Sequence, residues 1–263
     1  MTLRVFVKGG DVVKPEQALP EFPGGLMHSM CWSLPLSRLA AMAALALCAC
    51  ATPQPMVESV APPRFVVGDH WEYLITDSLR RGATTRLDVQ VVGVNAGVAT
   101  MRLVFADSYG KSEQTEEIDA DGGLRVGALG NEAVRRFSPS LKLLDFPIGQ
   151  RSSWRQAIET FRSDLQLKDQ IRVYGKVQGR APVTVPAGTY DAVAIYRIVN
   201  FDDGQFWRSG TTRRDQVRYA AEVKGVVREV HDAEYVELHS GPDMAAIRTE
   251  YTTTELVSFT PGK

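Results

Sequence analysis

The chain has 263 residues and a formal net charge of −1 at pH 7, with 30 basic residues interspersed among 31 acidic ones. No basic stripe of the kind that binds phosphates is visible, so nucleic acid is not an expected partner. The three cysteines, Cys31, Cys48 and Cys50, all lie within the first fifty residues. The rest of the chain therefore offers no thiol for catalysis, redox chemistry or zinc binding.

An apolar run at residues 39–49 follows Arg38 and ends at Cys50. The run is too short to cross a bilayer, which takes about 20 apolar residues. A short apolar stretch after a basic residue is typical of a secretory signal. Two alternatives are an ordinary buried helix and a signal that the common signal peptidase removes, which would leave a free soluble protein.

The four residues Leu47-Cys48-Ala49-Cys50 resemble the lipobox of bacterial lipoproteins. That resemblance implies diacylglycerol on the Cys50 thiol, cleavage before Cys50, and acylation of the new amino group by a fatty acid such as palmitate. Cys48 fits worse as the modified residue, because Leu47 would then stand where a small residue is required. Ala51 is not the aspartate associated with inner-membrane retention, so the resemblance implies the periplasmic face of the outer membrane.

The expected domain organisation follows from this signal. Because an apolar core that begins at residue 39 is late, we expect Met27 or Met30 to be the true start. The stretch after the cysteine is rich in proline, which favours an extended tether. The expected order is a mis-assigned start at residues 1–26, a signal peptide at 27–49, a lipidated cysteine and tether at 50–64, and a single β domain at 65–259.

Alternation of apolar and polar residues predicts strands through most of the domain. Residues 86–92 and 98–105 flank a turn at 95–97, and residues 113–118 and 124–126 flank another. Glycine and Asp or Asn recur at spacings of about ten residues, as in sandwiches and barrels. We therefore predict an all-β fold, either an antiparallel β-sandwich or an incompletely closed barrel, with few or no helices outside the signal.

Three stretches in the second half of the chain are less regular. Residues 154–167 show both helical spacing and alternation, and the alternation favours a strand. Residues 131–144 have room for one short helix before Pro139. Residues 171–177 are expected to pair with residues 182–185.

The chemistry-bearing side chains give no recognisable site. His231 and His239 would lie about 26 Å apart on a strand, too far to share a metal ion, so both are expected to be solvated edge residues. His70 is expected to form an ordinary hydrogen bond. Adjacent carboxylates such as Glu116 and Glu117 point to opposite faces of a strand and are expected to be solvated. We predict no catalytic residues, no metal and no cofactor.

A loop that begins at Asp119 resembles the start of a calcium loop but lacks the distal glutamate, so a glycine turn is expected instead. Farther along, Phe201, Phe206 and Trp207 surround a predicted turn. Exposed there, these aromatic side chains would form a contact surface for sugar, lipid or protein. The alternative, which we favour, is that they fold back onto the sheet.

The most distinctive segment is Val183-Thr-Val-Pro-Ala-Gly-Thr-Tyr190, which predicts a strand, a tight corner and a second strand. It resembles a V-T-V-P-A-G-T-[FY] corner of uncharacterised bacterial exported proteins and lipoproteins. The resemblance implies one all-β periplasmic domain and identifies no catalytic residue.

Three classes of function remain. The first is a membrane-anchored, non-enzymatic binding or assembly module for an envelope protein or an apolar ligand. The second is a carrier of lipid or lipoprotein type, which requires a roomy apolar cavity. A hydrolase is disfavoured because no nucleophile motif is present.

Overall fold

The computed structural model describes residues 59–129, 134–149, 152–162, 166–202, 209–238 and 245–263. The sequence-based predictions for residues 1–58, including Cys50, lie outside this part. One antiparallel sheet of twelve strands contains most of the described residues. The strands are β1 (His70–Asp77), β2 (Ala83–Asn95), β3 (Val98–Asp107), β4 (Gly110–Ile118), β5 (Leu124–Gly127), β6 (Arg135–Leu141), β7 (Ser153–Arg162), β8 (Leu167–Val185), β9 (Gly188–Phe201), β10 (Thr211–Ala220), β11 (Gly225–Leu238) and β12 (Ala245–Thr260).

The strands are ordered β6-β5-β4-β3-β2-β1-β12-β11-β10-β9-β8-β7, so almost every neighbour in space is also a neighbour in sequence. The β1–β12 pair is the exception, and it joins the two ends of the domain. The sheet curls into a nearly closed barrel, which confirms the second of the two predicted architectures. A single 3₁₀ turn, Ala221–Val223, links β10 to β11, and no helix in the described part of the chain is long and apolar enough to cross a membrane.

Side chains bridge the seam between β6 and β7, the two end strands of the sheet. Gln156 Nε2 donates a hydrogen bond to the Ser140 carbonyl at 2.9 Å, and Gln156 Oε1 accepts one from the Lys142 amide at 2.7 Å. The Trp154 indole N–H donates to the Lys142 carbonyl at 2.9 Å. These contacts replace backbone pairing at the point where the barrel stays incompletely closed.

Two predictions for the second half of the chain are wrong. Residues 135–141 form strand β6 rather than a short helix, because Arg135, Phe137 and Leu141 face the interior while Arg136 and Ser138 are exposed. The two segments expected to pair within residues 171–185 belong to one long strand, β8. The register shifts between Val177 and Gly179, where a bulge interrupts the strand without turning it back.

Two other predictions are confirmed. Residues 153–162 form strand β7, as alternation favoured. The Val183–Tyr190 segment is a tight hairpin in which Val185 faces Gly188 across a two-residue turn. Gly188 has a φ of +135°, which a residue with a side chain rarely adopts.

A short segment before β1 lies against one end of the barrel. Its residue Val60 pairs with Ile148 as an isolated bridge. The fully buried Asp69 accepts hydrogen bonds from the backbone amides of Val66 and Gly262 and from Lys224 Nζ. One carboxylate therefore ties this segment to the chain terminus and to the β10–β11 connection.

Candidate functional site

An apolar cavity of about 370 Å³ lies inside the barrel. Alternate residues of β2 and β3 face it, because side chains on a strand point to opposite faces in turn. These are Leu87 and Val89 on β2 and Met101, Leu103 and Phe105 on β3. Its volume falls in the range of pockets that bind small ligands.

Aromatic side chains surround the cavity at the end where the segment before β1 packs. The Trp71 ring stacks on Phe259 with centroids 5.2 Å apart and meets Phe65 edge to face at 6.0 Å. The Trp71 indole N–H donates to the Val223 carbonyl at 2.7 Å. This end of the cavity is therefore held in shape by hydrogen-bonded and stacked groups.

The opposite wall carries a row of three ionisable side chains. The strand register places Arg197 on β9 directly opposite Asp215 on β10, and Asp215 directly opposite His231 on β11. Arg197 Nε donates to Asp215 Oδ2 at 2.8 Å, and His231 Nδ1 lies 2.8 Å from Asp215 Oδ1. Asp215 is fully buried. It contacts the Arg197 guanidinium group on one side and the His231 imidazole on the other.

Two further charged residues complete this group, which we call the ionic cluster (Arg197, Arg213, Asp215, Glu229 and His231). Arg213 lies 3.0 Å from an Asp215 oxygen, and an Arg197 amino group donates to Glu229. Two arginines thus face two carboxylates within the cluster. The cluster is internally balanced in charge before the imidazole is counted.

The ionic cluster changes the titration of its members. Burial by itself would raise the pKa of Asp215, but Arg197, Arg213 and His231 hold that pKa well below its usual range. Burial raises the pKa of Tyr73, and the nearby Glu229 carboxylate raises it further. Asp215 is therefore a permanent anion at neutral pH, and Tyr73 is a neutral phenol.

Oxygen and nitrogen atoms of Asp215, Glu229 and His231 come within 4.8 Å of one another, a grouping that in principle suits a metal ion. The surroundings argue against a cation there. Arg197 and Arg213 already form ion pairs with the Asp215 oxygens. Their positive charges would repel a metal ion bound to the same carboxylate. The donor set fits a salt-bridge network better than a metal centre.

Glu116 on β4 also lines the cavity. It lies directly opposite Met101 on β3. Its carboxyl group lies over Gly127, and a Cβ atom added to that glycine would be only 2.9 Å from Glu116 Oε1. Burial raises the pKa of Glu116 to about 7. A carboxyl group with this pKa exchanges its proton near neutral pH.

The structure corrects two sequence-based predictions about these residues. His231 is not a solvated edge residue, because its ring lies in the cavity wall and hydrogen-bonds to Asp215. Glu116 lines the cavity and is not a solvated residue. Glu117 does not line the cavity, which agrees with the prediction that the two side chains point to opposite faces of the strand. His239 lies outside the described residues.

Phe201 is also placed differently from the contact surface considered above. Its side chain is only 3% exposed, and two guanidinium groups lie over its ring, those of Arg135 at 5.9 Å and Arg213 at 5.7 Å from the centroid. Phe201 therefore folds back into the barrel, which is the alternative that the sequence favoured. Phe206 and Trp207 lie outside the described residues.

The sequence-based expectations for His70 and for the turn at Asp119 are confirmed. His70 hydrogen-bonds to Asp88 at 2.9 Å. The carboxylate of Asp119 accepts hydrogen bonds from the Asp121 and Gly123 amides, at 3.0 and 2.8 Å, within a turn. Both residues thus have local structural roles.

The sequence contains a faint signal for the ionic cluster. Arg197 interrupts the apolar inward-facing positions of β9, where Ile195 and Val199 are fully buried. A charge at such a position needs a partner in the interior. Only the pairing of β9 with β10 reveals that the partner is Asp215.

No protein-family model matches the chain, and no curated protein matches it. Among solved structures, a candidate lipoprotein from Parabacteroides distasonis is similar at 13% identity and a TM-score of 0.46, over 77% of this chain and 99% of that one. A candidate exported protein with a YmcC-like fold from Bacteroides fragilis is similar at 11% identity and a TM-score of 0.45, and the match covers 77% of this chain and 99% of that one. The hypothetical lipoprotein YmcC from Escherichia coli is similar at 7% identity and a TM-score of 0.37, and the match covers 75% of this chain and 86% of that one. Similarities this low carry no conclusion about what this chain binds or does.

Proposed function

We propose that this chain is a lipid-anchored envelope protein whose barrel binds a small amphipathic ligand without chemically changing it. The observation that carries the proposal is the cavity of about 370 Å³ inside the barrel. Well-packed domains contain few voids larger than a water molecule. A cavity of this size is expected to hold a ligand, because empty apolar space forfeits packing contacts.

The lining supports a ligand with an apolar body. Aliphatic and aromatic side chains form most of the wall, and six acidic or basic residues of the described chain line the rest, four of them in the ionic cluster. This arrangement favours the carrier alternative over an assembly module with a filled core. Burial of the ligand's apolar surface would supply most of the binding free energy.

A non-enzymatic role is the simplest reading of the polar groups. The cavity lining in the described part of the chain includes no serine or cysteine. His231 and Asp215 hydrogen-bond to each other, yet they face no nucleophile of that kind. The ionic cluster instead gives the cavity wall a fixed polar region that orients a ligand.

The proposed anchor is Cys50, on the lipobox resemblance Leu47-Cys48-Ala49-Cys50. Two or three acyl chains give stable attachment where one chain does not. The anchor would keep the barrel in the envelope, with the outer membrane as the proposed location. A ligand that partitions into membranes would then be available close to the cavity.

Binding of the neutral apolar fluorophore N-phenyl-1-naphthylamine tests the proposed ligand site. Val89→Trp places a large ring in the cavity, whereas Val92→Trp places the same ring on the exposed side of the same strand. We expect Val89→Trp to weaken binding by about tenfold or more, and Val92→Trp to leave it unchanged. Equal binding by both variants, with both folded by circular dichroism, would refute the interior site.

A further inference from the structure

The charged side chains of the cavity indicate which polar group the ligand carries. Those in the described lining are Glu116, Arg197, Arg213, Lys224, Glu229 and His231. All but Glu116 have an oppositely charged or hydrogen-bonding partner in the barrel. Arg197, Arg213 and His231 contact Asp215, Glu229 contacts Arg197, and Lys224 contacts Asp69.

Glu116 is the exception within the part of the chain that the structure describes. Burial alone accounts for its raised pKa, since neither a hydrogen bond nor a nearby charge contributes. Its surroundings are apolar and include Met101, Ile118 and Leu124. An ionised carboxylate in such a setting is unfavourable unless a partner reaches it.

Among the described residues, the strands near β4 offer no such partner. Arg135 on β6, which lies opposite Gly127, is buried and forms an ion pair with Asp169 at 2.7 Å. On β3 and β5 the charged side chains next to the Glu116 position are Arg102 and Arg125, and both are exposed on the outer face. Arg102 donates to Gln90 instead. Across the cavity the arginines, Glu229 and His231 belong to the ionic cluster, and Lys224 is held by Asp69.

We propose that the cavity takes an amphipathic amine, an apolar chain or ring whose protonated nitrogen lies against the Glu116 carboxylate. This inference rests on the proposed function. A protonated amine supplies both the missing counter-charge and N–H donors, and such charge-assisted hydrogen bonds are the strong ones. An anionic head group would find the two arginines already engaged by Asp215 and Glu229.

Three ligands with the same apolar chain and different head groups test the proposal. Octylamine is a cation, octanol is neutral and octanoate is an anion. Binding is measured by isothermal titration calorimetry on the purified full chain without detergent. At about pH 8 we expect the dissociation constant of octylamine to be lower than that of octanol by about tenfold or more. The advantage should shrink at about pH 5.5, because Glu116 is then mostly protonated in the free protein.

Two variants assign the effect to one side chain. Glu116→Gln removes the charge inside the cavity, and Glu117→Gln removes a charge from the adjacent residue outside it. We expect Glu116→Gln to abolish the preference for octylamine and its pH dependence while octanol binding persists. Glu117→Gln should retain the preference for octylamine and the pH dependence of that preference.

The outcomes separate this inference from the proposed function. Equal binding of octylamine and octanol, or tightest binding of octanoate, would overturn the amine and leave an apolar ligand site in place. A preference for octylamine that survives Glu116→Gln would overturn it as well. If none of the three ligands and no fluorophore binds, the proposed function fails and the amine fails with it.

Discussion

Arg197 and Asp215 face each other directly across β9 and β10, and Arg197 Nε donates a 2.8 Å hydrogen bond to Asp215 Oδ2 inside the barrel. Asp215 also contacts Arg213 and His231, so one carboxylate organises three basic groups. Its removal would leave Glu229 as the one carboxylate of the ionic cluster, and Glu229 pairs with Arg197.

Asp215→Asn is therefore expected to destabilise the domain by about 3 kcal/mol, since breaking a buried ion pair leaves a charge uncompensated. Urea unfolding at neutral pH measures this. Glu234→Gln, which removes an exposed carboxylate from β11, is the control and should change the stability little. A loss below about 0.5 kcal/mol for Asp215→Asn would contradict a stabilising role for the cluster.

The low pKa of Asp215 also fixes the direction of the acid response. A carboxyl group whose pKa is lower in the folded than in the unfolded state stabilises the fold above its unfolded value of 3.8. That stabilisation is lost as the pH falls below about 4. The wild-type chain should lose stability in this range more steeply than Asp215→Asn.

Glu116 is expected to have the opposite effect on stability. Its pKa is about 7 in the folded protein and 4.5 in the unfolded chain, so the unligated wild type loses stability as the pH rises between these values. Glu116→Gln lacks this loss and should be more stable above about pH 7, by on the order of 2 kcal/mol. Thermal unfolding across this pH range checks it, with Glu117→Gln expected to follow the wild-type slope.

Gln156 is expected to hold the seam of the barrel together. Gln156→Leu removes two hydrogen bonds to the backbone of residues 140 and 142 and should cost about 1–3 kcal/mol. Hydrogen exchange should become faster at the Lys142 amide, whose acceptor is lost. Glu159→Ala, an exposed change on the same strand, should leave that amide protected.

Cys50 is expected to determine membrane attachment. Cys50→Ala should move the protein from the membrane to the soluble fraction, because the acyl chains have no other proposed site. Cys48→Ala should leave it in the membrane fraction. Fractionation and metabolic labelling with a fatty acid measure both, and a Cys50→Ala protein that still carries label would show the anchor to be elsewhere.

Much of the fold could be predicted from local patterns. Alternation in residues 86–92 and 98–105 and the intervening glycine turn give β2 and β3, because period two is a property of each strand alone. The same approach failed at residues 131–144, where a proline suggested the end of a helix. The inward-facing Phe137 and Leu141 of β6 depend on a barrel that only long-range pairing creates.

The candidate site could be predicted much less well. The sequence favours a Phe201 that folds back onto the sheet, as observed, but it does not predict that the ring packs against Arg213 in the interior. The sequence predicts solvated side chains for Glu116 and His231, whereas the structure places both in the cavity wall. Whether such a residue lies inside or outside depends on the register of the neighbouring strands, which no local pattern specifies.

The sequence by itself determined that the chain is β-rich and that residues 39–50 form a short apolar segment ending in a lipobox-like cysteine. Both are local properties, since they depend on the order of apolar and polar residues over a few positions. The tertiary structure alone decided that Asp215 meets Arg197 and His231, and that Glu116 faces an apolar cavity without a partner among the described residues. The first relationship is set by the register of neighbouring hairpin strands, and the second depends on the curling of the sheet into a barrel, which turns Glu116 toward the interior.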